Sequence, residues 1–367
     1  MKKIELTPLA DSLPHAVPFV GPEALERKTG TVFKARIGAN ESTFGPSPMA
    51  RLAMERAAAD TWEYCDPENH DLKEALALHL DVPRKNIVVG EGIDGLQGYL
   101  VRLVIGAGDA VVTSLGAYPT FNFHVKGYGG TLHTVPYKGD YEDIDALIAK
   151  AHEVKAKLVY FANPDNPMGT WRNAKDVAAM VDRLPEGCLL LLDEAYADLA
   201  PGGVIPDIPV NTHNVIRMRT FSKAYGLAGA RVGYAFGPSH LIQAFDKVRN
   251  HFGMTRISQA GALAALADMP YFKKVQKMVA DSRDHIARIA ANNGLTTVPS
   301  ATNFVAVDCG RDGDYARAVL AELIKLGIFV RMPAVPPLDR CIRVSCGGES
   351  EMKAFAAALP VALKNAG

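Results

Sequence analysis

Seven short candidate strands, rich in apolar or β-branched residues, at 86–89, 110–114, 131–135, 158–161, 189–193, 215–219 and 232–236, alternate with amphipathic stretches in this 367-residue chain. Helical spacing fills several of the gaps, at 95–105, 144–151 and 174–184. Alternation of this kind predicts an α/β fold, with a mostly parallel seven-stranded sheet flanked by helices. Beyond about residue 240 the pattern changes. Helical segments near 239–250, 256–267 and 270–292 follow one another, then strands near 304–307, 329–331 and 342–345 and a final helix from about 350. That remainder reads as a smaller α+β C-terminal domain. The prolines and glycines of 1–35 show little periodicity and read as an arm. The expected organisation is an N-terminal arm at 1–35, a large domain at 36–245 and a small domain at 246–367, with a cleft for ligands between the two domains.

Composition removes several function classes. Hydrophobic residues make up 48% of the chain, enough for a large core. Lysine plus arginine and aspartate plus glutamate both number 40, and no long basic run occurs, so neither a nucleic acid nor a membrane is an expected partner. The five cysteines form no C-x-x-C pair and suit reduced thiols in a cytoplasmic protein. The N-terminus lacks an apolar signal region, and no run approaches the roughly 18 apolar residues of a membrane span. Ten histidines show no metal-ligand spacing, so no metal is expected, and no G-x-S-x-G elbow suggests a hydrolase.

Four segments carry chemistry. In RTFSKAYGLAGARVG, 219–233, Lys223 follows Ser222 and precedes a small-residue run ending at Arg231. A hydroxyl and a guanidinium beside a lysine suit an anion bound next to a Schiff-base-forming amine. In LLLLDEAY, 189–196, four leucines put Asp193 at the C-terminal end of a buried strand, where ligands of open α/β sheets gather. A buried carboxylate there needs a cation or a donor. NPDNPMG, 163–169, reads as an asparagine-proline turn. Finally, NIVVGEGIDGLQGYL, 86–100, matches G-x-G-x-x-G through Gly90, Gly92 and Gly95. A dinucleotide site needs an acid at the end of the next strand, but Ser114 and Leu115 stand there and Asp109 precedes the strand. The loop and helix N-terminus fit a single phosphate instead.

The order of these segments resembles the fold-type I pyridoxal-phosphate aminotransferases of class I/II. Within them it is most similar to the histidinol-phosphate aminotransferase group, over nearly the whole chain and most closely at 86–120 and 160–235. The resemblance implies the PLP-dependent transferase fold type I, with pyridoxal 5'-phosphate as cofactor. It makes Lys223 the residue linked to the cofactor and the proton carrier, and Asp193 the partner of the pyridinium nitrogen. Asn166 and Tyr196 would bond the phenolic oxygen, with Lys223, Asp193 and Tyr196 as the catalytic set. Gly92, Ile93 and Asp94 would face the phosphate, opposite Ser222 and Arg231. Tyr118, in LGAYPTF, would stack on the ring. Tyr64, in WEYCDP, would reach the phosphate of a neighbouring subunit, which implies a homodimer. Arg343 in CIRVSCG and Arg331 in GIFVR would bind the substrate's anionic group, and Asn40 in GANESTFGPSP would line its entrance. Phe19 stands where histidinol-phosphate enzymes commonly carry tyrosine, Met168 where the family usually has threonine, and Cys65 where it has proline. The Asn166–Pro167 bond is a candidate for the cis form, which the sequence alone does not decide. The implied reaction moves an amino group to a 2-oxo acid, 2-oxoglutarate foremost. Histidinol phosphate is the leading donor, an aromatic amino acid the alternative, and a decarboxylation of the threonine-phosphate type a third reading.

Overall fold

The structure, a computed structural model, describes residues 4–15 and 20–367. Seven strands form the main sheet, in the spatial order Ile87–Gly90, Gly233–Phe236, Val215–Thr220, Leu189–Asp193, Leu158–Ala162, Ala110–Ser114 and Thr131–Val135. Gly233–Phe236 runs antiparallel to both neighbours and the remaining pairs are parallel. This is the architecture the alternating pattern predicts. The strands Leu158–Ala162 and Leu189–Asp193 are buried at every position. Successive side chains leave a strand on opposite faces, so both faces must be covered. Tyr160 and Leu191 pack with Leu96, Leu100 and Phe121 on one side, while Val159, Leu190 and Leu192 pack with Leu147 and Met180 on the other.

The C-terminal part is built on an antiparallel sheet of Cys341–Ser345, Phe304–Asp308 and Thr296–Thr297, with the long helices Met269–Asn292, Gly313–Lys325 and Glu349–Ala366. Two expectations are corrected here. The helix expected over 239–250 stops after Ser239–Ala244 and continues as the tighter turn Phe245–Lys247. The strand expected at 329–331 is Ile328–Phe329, which pairs in parallel with Ala35–Arg36, whereas Arg331 makes a separate bridge to Arg343. The chain thus touches its C-terminal part before entering the main sheet. The N-terminal helices Pro8–Ser12 and Pro22–Thr29 bury none of their residues. Among the described residues no helix is long and apolar enough to cross a membrane.

Beside Asp193, the buried Glu194 accepts hydrogen bonds from Arg217 at 2.7 Å and Arg219 at 2.9 Å. Burial opposes its charge, but the Arg219 and Arg217 guanidiniums win and hold its carboxyl below the ordinary range. A depressed carboxyl contributes stability above its unfolded pKa and loses it as pH falls through the folded value. Glu194→Gln leaves two guanidiniums without their counter-ion. The expected loss is about 3–5 kcal/mol, read as a lower urea midpoint at neutral pH.

Candidate active site

The parallel strands end together at one edge of the sheet, with Ala162 beside Asp193 and Asp193 beside Met218. The loops leaving that edge meet the C-terminal part around a cavity of about 860 Å³. Its wall includes Asn40, Ile93, Asp94, Tyr118, Asn166, Asp193, Tyr196, Ser222, Lys223, Arg231, Arg331 and Arg343. Residues more than 300 positions apart in sequence therefore share one site.

Asp193 lies at the bottom, 4% exposed. Its Oδ2 accepts from the Tyr160 hydroxyl at 2.7 Å and from Gln97 Nε2 at 3.0 Å, and its Oδ1 accepts from the Ala195 amide at 2.9 Å. All three donors are neutral, and among the described residues no cation pairs with it. Burial pushes its carboxyl up to about 6; the Tyr160 and Ala195 hydrogen bonds oppose this, and the charge of Asp94 adds to it. The site thus holds an oriented carboxylate lacking a positive partner.

Lys223 donates from Nζ to the Asn40 carbonyl at 2.9 Å and lies 5.6 Å from the centre of the Tyr196 ring. Burial and the nearby Arg343 charge bring its amine down to about 8. The Tyr196 hydroxyl accepts from Asn40 Nδ2 at 3.0 Å and from Asn166 Nδ2 at 3.5 Å. Burial raises its phenol above the ordinary range.

At the other end, Gly92 opens the helix Gly92–Val104 with φ of +80°, and a Cβ there would collide with the Arg231 guanidinium. Only glycine lets the arginine approach the helix N-terminus so closely. Arg231 Nη2 lies 3.7 Å from Asp94, whose carboxylate also accepts from the Tyr118 hydroxyl at 3.3 Å. Ser222 is buried, its Oγ accepting from Thr220 at 2.9 Å. Unpaired amides of a first helical turn, a hydroxyl and a guanidinium make a phosphate cradle.

Arg343 is 9% exposed and donates to Asn166 Oδ1 at 2.6 Å and to the Gly38 carbonyl at 3.4 Å, while its buried Nε has no protein partner. Arg331 donates to the Val20 carbonyl at 3.1 Å, and its backbone pairs with that of Arg343.

Three sequence expectations come out differently or stand apart. Tyr64 is 78% exposed, its ring against Phe252, and it does not line the cavity of its own chain. Phe19 lies outside the described residues. In this turn the cis bond falls at Asn163–Pro164 and the Asn166–Pro167 bond is trans; a second cis bond joins Pro336 and Pro337. Asn163 is the asparagine pinned on both sides, donating to the carbonyls of Arg172 and Val204 at 3.1 Å, while Asn166 is turned into the cavity. Met168 fills a buried apolar cluster with Tyr137, Val298 and Leu338, which accounts for a bulky residue in that turn. Gln97 and Tyr160 were not anticipated at all. Their only signal is a polar group placed among buried aliphatic residues, in LVYFA and in GLQGYL.

A family model for aminotransferase class I and II matches residues 34–359. The chain belongs to the class I and II aminotransferases. This aminotransferase is 34% identical over 357 residues to a histidinol-phosphate aminotransferase of Anaeromyxobacter sp. (strain Fw109-5), covering 96% of this chain and 97% of that protein. It is also 34% identical over 324 residues to an aromatic amino acid aminotransferase of Mycobacterium avium (strain 104), covering 85% and 91%. Its fold matches the crystal structure of histidinol-phosphate aminotransferase from Sinorhizobium meliloti in complex with pyridoxal-5'-phosphate, with a TM-score of 0.96, 58% identity, and coverage of 99% and 98%.

Proposed function

We propose that this aminotransferase is a cytoplasmic, homodimeric, pyridoxal-phosphate-dependent enzyme that takes the amino group of histidinol phosphate and passes it to 2-oxoglutarate. The observation that carries the reading is the pairing of a weakened amine, Lys223, with an oriented carboxylate lacking a cation, Asp193, in one cavity beside a phosphate cradle. Those residues fit pyridoxal phosphate, whose protonated ring supplies an electron sink for the carbanion formed at the substrate's Cα. Asp193 would face the ring nitrogen and keep its proton, since a nearby anion raises the pKa of a pyridinium. Gly92, Ile93, Asp94, Ser222 and Arg231 would surround the phosphate, the backbone and guanidinium supplying the donors. Tyr118 would cover one ring face. Asn166 and Tyr196 would donate to the phenolic oxygen.

Lys223 Nζ would form the covalent link and, once displaced by the donor's amine, take the proton from Cα. An amine near 8 is unprotonated in a useful fraction at neutral pH and remains strong enough to accept that proton. Arg343 and Arg331 would hold the substrate's anionic end, and Asn40 would line its entrance. A planar guanidinium fits carboxylate and phosphate alike, which allows one site to serve both half-reactions. Tyr64 of the partner subunit would complete the phosphate cradle, consistent with its exposed position.

The test is a single half-reaction of cofactor-loaded enzyme with histidinol phosphate, phenylalanine, tyrosine, glutamate or alanine, followed by cofactor absorbance. Histidinol phosphate is expected to convert the enzyme well ahead of phenylalanine. Preference for aromatic amino acids instead would support the second reading, which the Mycobacterium avium relative favours. Carbon dioxide release without any need for an oxo-acid acceptor would favour a decarboxylase.

A further inference from the structure

Asn40 is buried in the cavity wall with left-handed backbone, φ of 55°, a conformation disfavoured for a residue with a side chain. In that conformation its carbonyl meets Lys223 Nζ at 2.9 Å while its Nδ2 donates to the Tyr196 hydroxyl at 3.0 Å. Ser345 and Asn303 hold it there. Its amide donates to Ser345 Oγ at 3.0 Å, and that hydroxyl also donates to Asn40 Oδ1 at 3.2 Å. Asn303 Nδ2 donates to the Asn40 carbonyl at 3.0 Å and to the Glu41 carbonyl at 3.4 Å. The Asn303 Oδ1 is buried without a protein partner, so its donor end is what the fold uses.

Ser345 and Asn303 stand at one end of the C-terminal antiparallel sheet. Ser345 closes Cys341–Ser345, and Asn303 precedes Phe304–Asp308, whose first residue pairs with Ser345. The Cys346 amide donates to the Asn303 carbonyl at 2.7 Å, and the Ser345 amide to the Ile37 carbonyl at 2.8 Å. This sheet end is therefore tied to the 37–41 segment by main chain and side chain together.

We infer that Asn303 and Ser345 are positioning residues for the reacting amine: acting through Asn40, they hold its carbonyl against Lys223 and its amide against Tyr196. The inference rests on Lys223 being that amine. By this route the C-terminal sheet sets where the lysine rests whenever its amine is free, and the two halves of the site keep register without either residue touching substrate.

The test uses pH-dependent labelling of cofactor-free protein with acetic anhydride, reading Lys223 acetylation by peptide mass spectrometry. Burial and the Arg343 charge bring the amine to about 8, Asp94 and Glu41 oppose that shift, and Arg231 adds to it. The Tyr196 ring and the Asn40 carbonyl also face it. An accepting carbonyl stabilises the ammonium, so its displacement moves the labelling midpoint to lower pH. Ser345→Ala and Asn303→Ala are each expected to lower the midpoint by about half a pH unit or more. Ser345→Thr keeps the hydroxyl, so it should titrate as wild type. Ser345→Ala retains the strand ladder and the bond to Ile37, so it should fold even if Asn303→Ala does not. An unshifted midpoint in folded Ser345→Ala, or an equal drop in Ser345→Thr, overturns the inference. In parallel, borohydride reduction of the cofactor-loaded wild type should place the cofactor's mass on Lys223. Its absence there overturns the functional reading on which the inference rests, whatever the labelling shows.

Discussion

Lys223→Ala is expected to lose both turnover and the visible absorbance of the lysine–cofactor linkage. Two physical losses combine. The covalent anchor goes, leaving the phosphate cradle of Ser222, Arg231 and the Gly92–Val104 helix N-terminus to hold the ligand alone. The proton carrier also goes, and a positioned acid–base group typically contributes about 10²–10⁴-fold. Among the described residues of the wall, Tyr196 comes near, but burial holds its phenol protonated well above neutrality, so it cannot take over as a base. A single-turnover assay checks this. A rate within tenfold of wild type would remove Lys223 from the chemistry.

Asp193→Asn is expected to retain cofactor binding and lose about 10²–10⁴ in rate, the equivalent of the roughly 3–5 kcal/mol at stake when one partner of a buried ion pair is removed. The replacement is nearly isosteric, and the amide oxygen can still accept from Tyr160, Gln97 or Ala195. What it lacks is the negative charge that keeps a ring nitrogen protonated. A second readout needs no cofactor. A carboxyl raised to about 6 in the fold binds more protons than its unfolded counterpart between about 4 and 6, so it costs the cofactor-free protein stability as pH rises through that window. Cofactor-free Asp193→Asn should therefore be more stable than wild type at pH 7, with the difference vanishing below pH 4. Thermal melts at the two pH values decide it. A mutant less stable at pH 7 would show that the carboxylate is already compensated within the protein.

The contrast between these two residues and the ones around them shows how far sequence reaches. Lys223, Asp193, Asn166 and Tyr196 could be picked out because each belongs to a local pattern. Four leucines bury the aspartate, and a hydroxyl and an arginine bracket the lysine. The strands Ala110–Ser114, Thr131–Val135 and Leu189–Asp193 were legible to the residue, since each is a short stretch rich in apolar or β-branched residues between polar or turn-forming neighbours. The strand expected at 329–331 falls instead at Ile328–Phe329, because its partner is Ala35–Arg36, nearly three hundred residues away, and no local pattern announces such pairing. Gln97 and Tyr160 escaped notice for a related reason. Each is an ordinary polar residue until the fold brings it to the same carboxylate oxygen.

By itself the sequence determined the layered α/β sheet, the edge at which ligands gather, and the chemical types at the site: an amine, a carboxylate, a phosphate cradle and two guanidiniums. The sheet and its ligand edge follow from periodicity and short-range spacing, which act over a few residues, and the two guanidiniums from the resemblance that the motifs carry. Only the tertiary structure decided that Asn163 takes the cis proline bond, that Tyr64 faces away from its own cavity, and that Asn303 and Ser345 grip a left-handed Asn40. The grip on Asn40 depends on hydrogen bonds between residues up to 305 positions apart, whose energies exist only once the chain has closed.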